Sequence, residues 1–279
     1  MPAPTCLLFF PGSRPDLLPK ATASGAGLVC VDLEDAVGPD GKEAARSTVT
    51  GLLASRPDGL RLAVRINHPH TPDGHADLTT LGAADASVRP LRVMVPKVDA
   101  ATDLAPVREA LGGPGRPLAL IPVIETARGL ASVEAIASAE GVTALLFGAL
   151  DLSTELRCTL DWEALLHARS RCVHAGRLAG VDLYDAPFFD VRDVDGLRAE
   201  AGRARRLGFD GKAAIHPGQV GIVHDAFAPG REAVERARRI VEASERGGGG
   251  VLLVDGVMID RPAVDAARRI VAAAHHEET

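Results

Sequence analysis

Aromatic side chains make up only 3% of the 279 residues, and tryptophan and tyrosine occur once each. Any core must therefore be filled by Ala, Val, Leu and Ile. Cysteine is almost as scarce. Cys6, Cys30, Cys158 and Cys172 form no Cys-x-x-Cys pair, which argues against a zinc site and against a disulfide framework. No stretch of about 18 uninterrupted apolar residues exists, so no membrane span is expected. The N-terminus has no basic region ahead of a long apolar run, so no signal peptide is expected. An excess of positive charge is missing too. The net charge is −6, and arginine alternates with acidic and alanine residues, as in 231-REAVERARRI-240. That pattern is a solvated helix face rather than a nucleic-acid footprint. These absences predict a soluble protein of the reducing cytoplasm, with no nucleic acid and no membrane as partner.

What is present is apolar residue in quantity, 46%, enough for a large core. The 29 Gly and 19 Pro are spread along the chain, which implies many loops between short elements. Eight apolar runs stand out, at 7–12, 28–36, 62–67, 91–98, 118–126, 144–151, 181–188 and 213–219. Their starts are 21, 34, 29, 27, 26, 37 and 32 residues apart, close to the roughly 30 residues of a βα unit. The runs are continuously apolar rather than alternating, as parallel strands covered on both faces require. Helical patterns fill most gaps. In 42–55, Ala45, Val49, Leu52 and Leu53 share a face. In 102–111, Thr102 is placed to cap, with Pro106 near the first turn. In 161–180, Asp161 caps, Leu165, Leu166 and Val173 face inward, and Gly180 closes. In 193–208, Leu197 and Leu207 mark the buried face and Gly208 the stop. Eight strands alternating with helices predict an α/β fold, a closed (β/α)8 TIM barrel over residues 1–228; a doubly wound open sheet is the alternative. Residues 229–279 are surplus to the eight units. They read as a helix over 230–246, a break at 247–250, an extended or hairpin segment over 251–260 and a last helix over 262–274. This C-terminal helical extension is placed to cover a barrel end or to reach a neighbouring subunit.

A β/α barrel carries its active site at the C-terminal ends of the strands. The polar residues expected there are Ser13, Arg14, Asp32, Glu34, Asp35, Arg65, Asn67, Lys97, Glu125, Thr126, Asp151, Tyr184, Asp185 and His216. A charge at the edge of an apolar run is costly unless partnered. Several carboxylates in one ring repel one another unless a cation joins them, and a hard divalent ion such as Mg²⁺ suits one or two of them. Glu125 and Asp151, on adjacent predicted strands, are the natural pair. The bland alternative is that either acid caps the helix that follows.

Eight segments carry a resemblance, in order from about residue 6 to 274: Phe10-Pro-Gly-Ser-Arg-Pro15, Asp32-Leu-Glu-Asp-Ala-Val37, Val64-Arg-Ile-Asn67, Pro96-Lys-Val98, Ile124-Glu-Thr126, Phe147-Gly-Ala-Leu-Asp-Leu152, Gly208 to Gln219, and Gly256 to Pro262. Together they resemble the citrate lyase beta-subunit-like family of the HpcH/HpaI aldolase group, which includes malyl-CoA and citramalyl-CoA lyases. The resemblance implies that Glu125 and Asp151 ligate Mg²⁺, with Mn²⁺ as a substitute. It implies that Arg65 binds the substrate oxygen that gains negative charge, and that backbone amides around Gly148, Ala149, Leu150 and Asp151 hold a substrate carboxylate. Glu34 and Asp35 are implied to orient Arg65 or metal-bound waters, with Lys97 supporting them. Arg14 is expected to meet the phosphates of a CoA arm. Asp260 is implied as acid/base, supplied by a neighbouring subunit of a homotrimer or hexamer.

The implied activity is a carbon–carbon lyase or aldolase that cleaves or forms a 3-hydroxy acyl thioester from a 2-oxo acid and an acyl-CoA. Alternatives on the same site are an acyl-CoA thioesterase, a malate synthase, a citrate lyase complex subunit and a non-catalytic barrel. Three departures bear on the substrate. Leu150 stands where many relatives carry an acid, Arg157 ends a segment where relatives often read Asp-Leu-Gly, and 255-DGVMID-260 lacks a lysine common there. His216 is read evenly as a phosphate contact or as a loop-shaping group, and Cys30 as a small core residue.

Overall fold

In a computed structural model, described over residues 4–55, 59–83, 91–113, 117–246 and 252–275, the chain divides into two compact units, Ala3–Ala226 and Phe227–Thr279. The first is a closed parallel barrel of eight strands in sequential order. The strands are β1 (Cys6–Pro11), β2 (Leu28–Asp32), β3 (Leu62–Arg65), β4 (Leu91–Val95), β5 (Leu118–Ile124), β6 (Ala144–Phe147), β7 (Asp182–Asp185) and β8 (Gly211–Ala214). All eight apolar runs thus become strands, and β1 pairing with β8 closes the circle. The helices between them are α1 (Leu18–Ala23), α2 (Lys42–Ala54), α3 (Pro72–Ala83), α4 (Ala105–Leu111), α5 (Ala127–Ala131), α6 (Val133–Ala137), α7 (Ala149–Leu156), α8 (Trp162–Ala179), α9 (Val194–Leu207) and α10 (Val220–Phe227).

Every strand sends side chains into the barrel interior, among them Leu7, Cys30, Met94, Ile121, Leu146 and Tyr184. The scarcity of aromatics is met by aliphatics, with the lone tyrosine filling the interior. Tyr184 is therefore core, not mouth. Asp185, also expected at the mouth, is fully buried behind the strands. It accepts from Arg169 Nε at 2.8 Å and from Lys212 Nζ at 2.7 Å. The Arg169 guanidinium lies between the rings of Phe147 and Trp162, at 4.9 and 4.6 Å. A buried charge is tolerated only when paired this way.

Three helix details differ from expectation. On α9 the buried face is Leu197, Ala201 and Ala204, while Leu207 is only half-buried. In α8 the buried face is Leu165, Ala168, Cys172 and Ala175, while Leu166 is exposed and Val173 half-buried. The stripe is set by where the strands lie, not by which residues are largest. Thr102 does not cap; the Asp103 carboxylate instead accepts from the amides of Asp99 and Ala100, at 2.9 and 3.0 Å. Asp161 and Gly180 act as expected, the first accepting from the Ala164 amide at 2.9 Å, the second at φ +72°.

The second unit contains α11 (Arg231–Arg246), an antiparallel hairpin of β9 (Leu252–Val254) and β10 (Val257–Ile259), and α12 (Arg261–His275). Asp255 and Gly256 make the turn at φ +51° and +77°, the Asp-Gly pairing favoured in tight hairpins. Ala237, Ile240, Val254, Ile259 and Val264 form its core. The expected break at 247–250 lies outside the described residues. Among the described residues, no helix is long and apolar enough to cross a membrane.

Candidate active site

Strand register decides which side chains meet. β2 and β3 pair with Asp32 opposite Arg65. Both are last residues of their strands, so both face the C-terminal mouth. The Arg65 guanidinium closes a two-pronged bond on Asp32, Nε to Oδ1 at 2.8 Å and Nη2 to Oδ2 at 2.6 Å. Its third nitrogen meets Glu34 Oε2 at 3.1 Å, and its plane lies 5.0 Å from the Phe9 ring centre. Asp32 is fixed in turn by the amides of Glu34 and Ala36, at 2.9 and 3.1 Å. Burial lowers the Arg65 pKa, but the bonds and charge of Asp32 and Glu34 outweigh it and raise the value overall. Arg65 is thus a permanently charged group with a fixed orientation.

β5 and β6 pair with Ile124 opposite Phe147. The residues that follow each strand are Glu125 and Gly148, side by side. A side chain on Gly148 has no room, since a Cβ there would lie 2.4 Å from the Glu125 Cβ and 2.6 Å from its Oε2. Gly148→Ala is therefore expected to displace the Glu125 carboxylate. Turnover should fall by at least about 10²-fold, while calorimetry shows weakened Mg²⁺ binding. Unchanged metal affinity in that variant would show that Glu125 is not a ligand.

Burial pushes the Glu125 carboxyl up to about 7; the Lys97 amide, donating to Oε1 at 2.8 Å, opposes this, and the Asp151 charge adds to it. An acid so placed is an incompletely compensated anion. Asp151 sits in the first turn of α7, where the helix dipole favours a negative charge. Neither acid caps a helix. Thr126 caps α5, accepting from the Gly129 amide at 2.9 Å, and Gly148 precedes α7. Among the described residues no third His, Cys, Asp or Glu joins the pair as a closed metal cage. Two oxygen donors with open positions suit hydrated Mg²⁺ rather than a structural zinc or a calcium cage.

Lys97 supplies positive charge between the acids. Its ammonium donates to Glu34 and lies 3.6 Å from Asp35 and 3.7 Å from Asp151. It holds φ +51°, a left-handed conformation that costs a side-chain-bearing residue about 1–2 kcal/mol. The bonds of its amide to Glu125 and of its ammonium to Glu34 hold it there. The amides of Ala149, Leu150 and Asp151 open α7 without intrahelical partners. The Gly148 amide is different, since it donates to the Ile124 carbonyl at 3.0 Å. Gly148 therefore contributes space rather than a hydrogen bond.

A cavity of about 430 Å³ unites these groups, with Asp32, Arg65, Glu125 and Asp151 in its lining. A second bay of about 450 Å³, more polar, shares Asp35, Glu125 and Asp151 and adds Lys97 and His68. Several expected residues lie elsewhere. Arg14 does not line the cavity and pairs with Asp16 at 2.7 Å on the surface. Asn67 ties backbone together, donating to the Leu33 carbonyl at 3.0 Å and to Asp77 at 2.7 Å. His216 caps a short turn by accepting from the Gly218 amide at 3.1 Å, the loop-shaping role. Arg157 ends α7 at φ +56° and does not line the cavity. Asp260 caps α12, accepting from the Ala263 amide at 3.2 Å. The chief orienter of Arg65 is Asp32, a role that sequence reasoning gave to Glu34 and Asp35. The signal was the direct strand register, legible only once strand ends are known.

The model of the HpcH/HpaI aldolase/citrate lyase family matches residues 5–217. A (3S)-malyl-CoA thioesterase of Cereibacter sphaeroides is 35% identical, covering 96% of this chain and 93% of its own. An L-malyl-CoA/beta-methylmalyl-CoA lyase of the same organism is also 35% identical, covering 95% and 93%. The crystal structure of CitE from Mycobacterium tuberculosis with magnesium, acetoacetate and coenzyme A superposes with a TM-score of 0.83 at 32% identity, covering 98% of each chain. RipC from Yersinia pestis gives a TM-score of 0.70 at 35% identity, over 83% of this chain and 98% of that one. With an eight-stranded barrel, an acid pair and a clamped arginine at its mouth, and a family match over most of its length, this chain belongs to the HpcH/HpaI aldolase/citrate lyase family.

Proposed function

We propose that this chain is a Mg²⁺-dependent carbon–carbon lyase that cleaves or forms a 3-hydroxy acyl thioester of the malyl-CoA or citramalyl-CoA type. The observation that carries this reading is one cavity holding both a carboxylate pair, Glu125 and Asp151, and an arginine fixed by Asp32 and Glu34. Glu125 and Asp151 would hold the ion, which when bound polarises the substrate oxygen beside it. The free amides of α7 hold the carboxylate of the 2-oxo acid fragment. In cleavage a carboxylate base takes the hydroxyl proton, and the O–H electrons form the new carbonyl. The carbon–carbon bond breaks, and its electrons pass to the thioester as an enolate. Arg65 neutralises that oxyanion from the orientation in which Asp32 and Glu34 hold it. Protonation at carbon releases the acyl thioester.

Asp260 from a neighbouring subunit is our choice of base, in a homotrimer or hexamer. Arg14 is our choice of contact for the CoA phosphates, exchanging its exposed partner Asp16 for a stronger anion. Four free thiols, three of them buried, accord with the cytoplasm.

Thioester hydrolysis is a second reading, favoured by the thioesterase relative that matches as well as the lyase does. Incubation of the purified chain with malyl-CoA separates the two. A lyase yields a 2-oxo acid and acetyl-CoA; a hydrolase yields free thiol and intact hydroxy acid. Turnover should vanish on exhaustive chelation and return with Mg²⁺ or Mn²⁺. Full activity without metal would overturn the metal assignment.

A further inference from the structure

Lys97 meets both acids of the metal pair, through different atoms. Its amide donates to Glu125 Oε1 at 2.8 Å, which leaves Oε2, lying beside Gly148, for an ion. Its ammonium lies 3.7 Å from Asp151 Oδ2. The same ammonium donates to Glu34 and lies 3.6 Å from Asp35. The backbone at Lys97 holds φ +51°, which glycine adopts without strain. A strained residue at a site implies a task for its side chain.

A loop-shaping lysine would account for the bond to Glu34. It does not account for where the charge stands. The side chain is 41% exposed, so the ammonium has room to move. It shares a bay with Asp35, Glu125 and Asp151, the acids that a divalent ion would meet. A cation about 4 Å from a metal ligand opposes the metal and favours an anion. Solvent screens an exposed charge, but the divalent ion doubles the interaction, so an effect of at least about fivefold on affinity remains.

We propose that Lys97 is a positioning residue that competes with Mg²⁺ for Asp151. It holds that carboxylate while the ion is absent and keeps the empty site's affinity for Mg²⁺ low. Once the ion takes Asp151, the released ammonium favours the carboxylate of the 2-oxo acid on the neighbouring α7 amides. This rests on the metal and lyase readings and names what controls ion binding at that site.

The sign of the effect is the test, because loss of a loop-shaping residue would weaken both ligands. The metal-free full-length chain is titrated calorimetrically with Mg²⁺. At saturating Mg²⁺ it is then titrated with whichever of glyoxylate and pyruvate binds the parent more tightly. Lys97→Met removes the charge and keeps the length. It should bind Mg²⁺ at least about fivefold more tightly and the 2-oxo acid at least about fivefold more weakly. Its metal-free form should melt below the parent, since the acids lose their cation, and saturating Mg²⁺ should close that gap. Lys97→Arg keeps the charge and should hold both affinities near those of the parent. Mg²⁺ affinity that falls or stays the same in Lys97→Met would overturn the proposal while leaving the metal reading intact. So would an undiminished 2-oxo acid affinity, or a Lys97→Arg chain that behaves like Lys97→Met. If the parent binds no Mg²⁺, or neither 2-oxo acid in its presence, the metal or lyase reading itself falls and this proposal with it.

Discussion

Arg65→Lys should lower turnover by at least about 10²-fold with little change in the thermal midpoint. Lysine keeps the charge but not the planar fork. Arg65 meets Asp32 through two nitrogens and Glu34 through the third. An ammonium is a single point of charge, so it satisfies Asp32 only by turning away from the oxyanion or from Glu34. The buried pair survives, which is why stability should hold. Arg65→Ala differs, because it strands the buried Asp32 carboxylate and should cost about 3–5 kcal/mol of folding free energy.

Asp32→Asn completes the series. Its amide presents N–H groups to a donor, so the guanidinium should swing and kcat fall, while Mg²⁺ affinity at Glu125 and Asp151 stays near that of the parent. Steady-state kinetics, thermal melts and calorimetry on the three variants separate these effects. Near-normal turnover in Arg65→Lys would reduce Arg65 to a structural ion-pair residue.

The barrel was legible because its signal is redundant. Eight continuously apolar runs at a βα period admit few folds, and each run became a strand. That Glu125 and Asp151 share the mouth of the barrel was legible because a carboxylate at the end of an apolar run needs a reason. Leu166 shows where periodicity misleads: a large apolar residue on α8 faces solvent, while the polar Arg169 on the same helix is buried against Asp185. Nothing in the local sequence says that Lys212 and Asp185 wait behind that helix face. Tyr184 and Asp185 failed for a related reason. Alternation sends one to the barrel interior and the other behind it, and a parallel strand buried on both faces hides that choice. Asp32 was undervalued because its worth lies in being opposite Arg65, a fact of register between strands 33 residues apart.

Asp260 is the group on which the shared-site reading is most exposed, and here subunit mixing is decisive. In its own unit Asp260 has an ordinary task, capping α12 through the Ala263 amide. Alanine would remove cap and carboxylate together, at about 1 kcal/mol for the cap alone. Asp260→Asn is the sharper variant, because asparagine caps equally well but accepts no proton at neutral pH. Asp151→Asn likewise keeps a side chain of the same size in the first turn of α7 while removing the negative charge. Each variant alone should be inactive as a homo-oligomer, with a thermal midpoint near that of the parent. Mixed in equal amounts and refolded together, the two should recover activity. When one chain's barrel is completed by another chain's Asp260, about a quarter of the sites in a random closed ring combine an intact Asp151 with an intact Asp260. An Asp260 acting within its own chain would leave every site in the mixture lacking one group. Native mass spectrometry establishes that subunits have exchanged. Mixed oligomers with no recovered activity would return Asp260 to its capping role and remove the neighbouring subunit from the chemistry.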